Sequence, residues 1–252
     1  MSLCGERSLI DVRNLKKTFK DRKAGKVEAL RGVSFTCHAG EVFGLLGPNG
    51  AGKTTALRVL STAIKPTAGS GAVMGYDVVA RARQVRRSVG FLSTTTDLYA
   101  RLSPREVLTY FGRLYQMSRR RIDARIGELT DTFQMAEFLD RPCDKLSTGM
   151  RQRANIARTV MHAPPVMIFD EPTKGLDVLT GRAIVQFIRQ CRQEQRTVLF
   201  STHIMTEAQR LCDRIGIIHE GRMLFVGTLE ELQSRYGTDL EEVFLRLVEQ
   251  GS

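Results

Sequence analysis

Apolar positions along this 252-residue chain follow two periods, and the period changes part-way along. Residues 9–19 and 33–37 alternate apolar and polar positions, which predicts β-strands with one covered face. Three later runs are continuous: Glu41-Val42-Phe43-Gly44-Leu45-Leu46, Pro165-Val166-Met167-Ile168-Phe169-Asp170 and Thr197-Val198-Leu199-Phe200-Ser201-Thr202. Short continuous runs of this kind predict parallel strands covered on both faces. Residues 71–74 and 89–92 predict two further short strands, and residues 53–63 a helix directly after the first continuous run. At Ser103-Pro104-Arg105-Glu106 a capping box with proline at the first helical position opens a different pattern. Behind it Val107, Leu108, Phe111, Leu114 and Tyr115 recur at helical spacing, then Ile122, Ile126, Leu129 and Phe133, and both stripes predict helices packed in a core. From about residue 165 strands and helices alternate again, with helices over 181–193 and near 207–212, a hairpin around Glu220-Gly221, and a last amphipathic helix over 240–248.

The chemistry sits at the ends of the continuous runs. Gly47-Pro48-Asn49-Gly50-Ala51-Gly52-Lys53-Thr54 matches G-x-x-x-x-G-K-[ST] between a strand and a helix. Glycines let the backbone curl so that several N–H groups point at one phosphate chain, and the following helix turns its positive end toward it. Lys53 supplies charge toward the β- and γ-phosphates, and Thr54 a hydroxyl for Mg²⁺. Asn49 and Thr55 complete the set of nucleotide-contacting positions with Gly47, Gly50, Gly52, Lys53 and Thr54. The second run ends in Asp170-Glu171, which places two acids at the sheet edge where α/β proteins bind ligands. One acid can hold Mg²⁺ while the other orients or deprotonates a water. The third run ends in His203, which could contact the γ-phosphate if its strand lies beside the one carrying Glu171. Between them, Leu146-Ser147-Thr148-Gly149-Met150 is a helix entry: Ser147 can be an ordinary N-cap, or its exposed N–H groups can bind an anion.

Taken in order, these motifs resemble the ATP-binding subunit of an ABC transporter over nearly the whole length, from about residue 9 to 247. The resemblance implies an α/β fold: a P-loop NTPase with an ABC-type antiparallel β subdomain and a helical insertion subdomain. It implies a single nucleotide-binding domain, with residues 9–93 and 161–227 as core and β subdomain, 94–160 as the helical signature subdomain that docks a membrane subunit, and 228–252 as a C-terminal helical tail. Lys53 and Thr54 correspond to the Walker A lysine and hydroxyl, Asp170 to the magnesium-side aspartate, and Glu171 to the catalytic base. Asp177 corresponds to the D-loop aspartate and His203 to the switch histidine. Ser147 and Gly149 keep the phosphate-contacting positions of the signature, although Thr148 and Met150 replace its usual glycine and glutamine. Phe19 falls where the family places an aromatic under the adenine, and packing in the core would explain it nearly as well. Thr94 stands where the family has its Q-loop glutamine; it is about two bonds shorter and offers a hydroxyl, so nucleotide sensing by the usual amide is not expected.

The resemblance further implies two copies paired head to tail, each ATP held between Lys53 of one and Ser147 of the other. It implies hydrolysis in which Glu171 polarises water and Mg²⁺, Lys53, His203 and the second copy's Ser147 stabilise charge. The signature and the tail Leu240-Glu241-Glu242-Val243-Phe244 look most like the sodium-extrusion and multidrug-export branch, so an ATPase acting through a multi-span permease subunit, with sodium as the first cargo to test, is expected.

Composition narrows the setting. Lysine and arginine number 38 against 27 acids, a net charge of +11 that suits an anionic surface: headgroups, nucleotides or nucleic acid. The basic residues are spread out, with small clusters at residues 81–87 and 119–121 that a solvated helix face would explain. A soluble ABC protein acting on ribosomes or nucleic acid is the rival reading; one phosphate loop and no sustained heptads weigh against it, and a nucleic-acid partner is not expected. Five cysteines without a C-x-x-C pair read as reduced thiols. No apolar run approaches the ~18 residues of a membrane span, and the resemblance implies peripheral attachment to the cytoplasmic face of the membrane.

Overall fold

The computed structural model describes residues 8–21, 25–93, 97–237 and 239–251. Two sheets and three helical groups surround the phosphate-loop segment. An antiparallel sheet comprises β1 (Ser8–Asp21), β2 (Gly25–His38), β4 (Ala68–Val73) and β5 (Tyr76–Asp77) in the order β2-β1-β4-β5. The larger sheet comprises β3 (Val42–Leu46), β6 (Val89–Leu92), β7 (Val166–Asp170), β8 (Thr197–Thr202), β9 (Arg214–His219) and β10 (Arg222–Thr228) in the order β10-β9-β3-β8-β7-β6. All its neighbours run parallel except the edge strand β10, which pairs with β9 as the predicted hairpin. Every residue of β3, β7 and β8 is buried, as their unbroken apolar runs require. The register pairs Leu46 with Thr202 and Asp170 with Ser201, so the carboxyl ends of all three strands reach one edge together.

Helix α1 (Lys53–Leu60) follows β3 and buries Ala56, Leu57, Val59 and Leu60 in the core between the two sheets. It stops earlier than its sequence predicts: Thr62 adopts a left-handed φ of 65°, and the amides of Ala63 and Ile64 both turn back to the Arg58 carbonyl. Helix α2 (Ala82–Ser88) precedes β6. The insertion consists of α3 (Pro104–Leu114), α4 (Arg119–Thr132) and α5 (Thr148–Thr159). The Ser103 capping box is formed: Ser103 Oγ accepts from the Glu106 amide, and Glu106 reaches back to the Ser103 amide at 2.8 Å. Val107, Leu108, Ile122, Ile126, Leu129 and Phe133 share one apolar cluster with Phe169, Phe200 and Phe187, so the insertion packs on the opposite face of the large sheet. Leu114 departs from the predicted stripe; it lies 61% exposed at the end of α3. Helices α6 (Val178–Gln193) and α7 (Met205–Leu211) flank β8, and α8 (Leu229–Tyr236) and α9 (Leu240–Gly251) close the β9–β10 end over Ile215, Ile217 and Phe225.

Candidate nucleotide site

The loop after β3 rises from the common strand edge and enters α1 through Gly52. Its φ of 107° is a left-handed value that glycine adopts without strain, and a Cβ there would lie 2.6 Å from the Ala29 carbonyl oxygen. Asn49 and Gly50 are exposed at the crest of the loop, and Thr55 is half-buried in the first turn of α1. The Lys53 ammonium is buried and folds back over the loop, donating to the carbonyls of Gly47 at 2.5 Å and Pro48 at 3.0 Å. Burial lowers its pKa, while Glu171 and Asp170 act in the opposite direction.

The strand edge brings the acids to this loop. Thr54 Oγ1 donates to Asp170 Oδ1 at 3.0 Å, and Ser201 Oγ, the β8 neighbour, donates to the same oxygen at 2.8 Å. The next residue, Glu171, takes a left-handed φ of 46° that turns the chain off the strand; its amide donates to Ser201 O and Oγ at 3.2 and 3.0 Å. This turn aims the Glu171 carboxylate among three cationic or ionisable groups. Oε1 lies 3.7 Å from Lys53 Nζ and 3.3 Å from His203 Nδ1, while Oε2 lies 2.8 Å from Lys174 Nζ. Burial raises the Glu171 pKa, but Lys174, then Lys53 and His203, outweigh it and hold the carboxyl below its ordinary value. Glu207 bridges the loops that follow β7 and β8, accepting from Thr173 Oγ1 at 2.6 Å and Thr202 Oγ1 at 2.8 Å.

Five residues selected from sequence, Lys53, Thr54, Asp170, Glu171 and His203, therefore form one contact network. A hydroxyl and a carboxylate 3.0 Å apart suit Mg²⁺, a hard cation that takes one or two protein oxygens and completes its shell with water and phosphate. Other sequence candidates lie apart from the network. Ser147 caps α5, accepting from the Met150 amide at 3.3 Å, and is exposed. Asp177 caps α6, accepting from Thr180 N at 3.0 Å and Thr180 Oγ1 at 2.7 Å. Gly149 packs against this cap, and Gln152 of α5 donates to the Pro172 carbonyl at 2.9 Å, which ties the signature helix to the Glu171 loop. Phe19 is 39% exposed with the Lys17 ammonium 4.9 Å above its ring, so core packing does not account for it. Thr94 lies outside the described residues. Ser201, Lys174 and Glu207 were not selected from sequence; Lys174 stands beside the D-loop residues, but nothing in its spacing indicates that it reaches Glu171.

A sequence model of the family described as "ABC transporter" matches residues 30–174. The chain belongs to the ABC transporter family. The cassette is 42% identical over 245 residues to the ABC transporter ATP-binding protein NatA of Bacillus subtilis, covering 96% of this chain and 99% of the relative. It is 38% identical over 236 residues to the Nod factor export ATP-binding protein I of Burkholderia lata, covering 93% and 76%. Among solved structures, the ATP-binding subunit of an ABC transporter superposes with a TM-score of 0.86 at 29% identity, covering 95% of this chain and 99% of that one. A dimeric ATP-binding cassette in a post-hydrolysis state with ADP and Pi superposes with a TM-score of 0.79 at 27% identity, covering 87% and 98%. No helix among the described residues of the cassette is long and apolar enough to cross a membrane.

Proposed function

We propose that the cassette binds and hydrolyses ATP as the nucleotide-binding subunit of an exporter, driving transport through a separate membrane subunit. The observation that carries this reading is the meeting of Glu171 with Lys53 and His203 beside the Thr54–Asp170 pair, all at the mouth of one phosphate loop. When nucleotide enters, the phosphates replace the Gly47 and Pro48 carbonyls as partners of Lys53. Thr54 and Asp170 would hold Mg²⁺, whose charge offsets that of the phosphate oxygens. Glu171 orients a water and accepts its proton as the water oxygen bonds to the γ-phosphorus; the bond to the bridging oxygen breaks, and ADP and phosphate result. Lys53 and His203 stabilise the charge on the transferred group.

The signature serine faces solvent apart from the Lys53 network, and its oxygen accepts from the Met150 amide while its O–H stays free to donate, so in this reading Ser147 serves a nucleotide held by a second copy. That pairing agrees with the dimeric cassette among the solved structures. Export stands in the name of the Nod factor relative, and two others are named for resistance to linearmycin and daunorubicin, which supports an exporter reading. Within that class, the signature and the 240–244 tail favour sodium as the first cargo to test, and the chain would act at the cytoplasmic face of the membrane. The test is a native pull-down of the Glu171→Gln chain with ATP, followed by mass spectrometry. Co-purification of a multi-span membrane protein is expected; ribosomes or nucleic acid without one would contradict the transporter assignment.

A further inference from the structure

Glu171 and His203 leave neighbouring strands, β7 and β8, and their side chains meet at 3.3 Å. The two residues are held in different ways. Glu171 is fastened on its own side: its amide donates to Ser201 O and Oγ, and the next carbonyl, that of Pro172, accepts from Gln152 of α5 at 2.9 Å. His203 stands just past the end of its ladder, because the last pairing of β8 with β3 joins Thr202 to Leu46. Its side chain is 40% exposed. A half-exposed imidazole on a strand end keeps one place only if something beyond the ladder braces its turn.

Glu207 supplies a brace of the right shape. It stands in the first turn of α7, which the buried residues Ala208 and Leu211 anchor in the core. Its Oε2 accepts from Thr202 Oγ1 at 2.8 Å, and the same threonine oxygen accepts from the Ile204 amide at 3.0 Å. Those two bonds clasp the chain on both sides of His203. Its Oε1 accepts from Thr173 Oγ1 at 2.6 Å, two residues past Glu171. A hydroxyl has one proton and two lone pairs, so donation to Glu207 fixes the rotation of Thr202 and leaves its oxygen facing the Ile204 amide. Hydrogen bonds to an ionised acceptor are about twice as strong as neutral ones. A carboxylate accepts from both threonines at once, whereas a glutamine has a single acceptor oxygen and serves one of them. Because Glu171 has its own fastenings, loss of this carboxylate falls on the His203 turn.

We propose that Glu207 is a positioning residue for ATP hydrolysis, holding the His203 turn to the Glu171 loop so that the imidazole meets the same γ-phosphate as the Glu171 carboxylate. The proposal rests on the hydrolysis reading given above; Glu207 acts through Thr202 and Thr173 rather than on the nucleotide.

Hydrolysis rates and ATP affinities of the wild type, Glu207→Gln, His203→Ala and the double variant test it. Glu207→Gln should lower the rate at saturating ATP by about thirtyfold and change ATP affinity by less than about twofold. Thr202→Val should lower the rate comparably, and Thr202→Ser, which keeps the hydroxyl, should recover most of it. In the His203→Ala background, Glu207→Gln should cost less than about threefold more, because the residue it positions is already gone. Exchange of the Ile204 amide, followed by NMR without nucleotide, should quicken by about tenfold in Glu207→Gln. A second thirtyfold loss in the His203→Ala background would overturn the proposal, since Glu207 would then act apart from His203. So would a wild-type rate in Glu207→Gln, or unchanged exchange at Ile204. Loss of ATP affinity in both Glu207→Gln and Thr202→Val would assign the pair to the stability of the fold and overturn it as well. A wild type that binds ATP and hydrolyses none would instead overturn the reading of the whole site, and this proposal with it.

Discussion

The Glu171 carboxylate divides its two oxygens between different tasks. Oε1 faces Lys53 and His203, groups that the phosphates of a nucleotide would draw away; Oε2 faces Lys174, half-exposed and three residues on. Lys174 can therefore hold the carboxylate in place while Oε1 becomes free to accept from water. Lys174→Ala should lower the rate of ATP hydrolysis at saturation by about tenfold while leaving ATP affinity unchanged, and Lys174→Arg should restore most of it. Because Lys174 holds the Glu171 pKa down, its removal lets that pKa rise, so the acid limb of the pH–rate profile should move to higher pH. An unchanged rate and profile would leave Lys174 as a surface charge only. At this scale the sequence revealed the residues whose spacing is set by phosphate chemistry, such as Lys53 and Thr54, and the acids that end a buried strand. It concealed Lys174 and Ser201, because their contacts depend on the left-handed turn at Glu171 and on the register of β7 against β8, neither of which has a local signature.

Helix α5 and helix α6 meet where the first turn of one touches the cap of the other. A Cβ at Gly149 would lie 2.7 Å from Thr180 Oγ1 and 3.2 Å from Asp177 Oδ2, the two atoms of the side-chain hydrogen bond that braces the cap. Gly149→Ala should break that hydrogen bond, cost about 1 kcal/mol and lower the melting temperature by about 2–4 °C, read by calorimetry. An unshifted melting temperature would mean that Thr180 turns aside at no cost. The elements easiest to read were those with a period or a cap: the Ser103 capping box and the unbroken runs of β3, β7 and β8. Helix α2 was legible only as a basic, solvated helix face over residues 81–87, because Val85 alone among its seven residues is buried and it has no apolar stripe. The first half of β2 was missed for the same reason, being exposed from Gly25 to Glu28. The end of α1 was overrun because nothing local marks Thr62, a threonine, as the residue that takes a positive φ.

Across the whole molecule, the order of motifs along the chain carried the family resemblance, and that resemblance implied the antiparallel sheet, the α/β core and the helical insertion. What the order could not show is which distant side chains meet, and the bridge that Glu207 makes between Thr173 and Thr202 is the clearest case. The four described cysteines are free and enclosed to differing degrees. Burial pushes Cys143 up to about 11 and Cys191 up to about 12, and raises Cys37 and Cys212 as well. Raised thiol pKa values leave little thiolate at pH 8, so these four should alkylate slowly in the native chain and rapidly in guanidinium chloride, as followed by mass spectrometry. Fast native modification of any of them would contradict that packing.

The central claim is that one chain holds ATP with Lys53, Thr54, Asp170, Glu171 and His203 and that a second copy completes the site with Ser147. The solution mass of the Glu171→Gln chain, measured by light scattering with and without ATP and Mg²⁺, tests it most directly. One chain is expected without nucleotide and two with it. A single chain at ATP concentrations that saturate the site would contradict it.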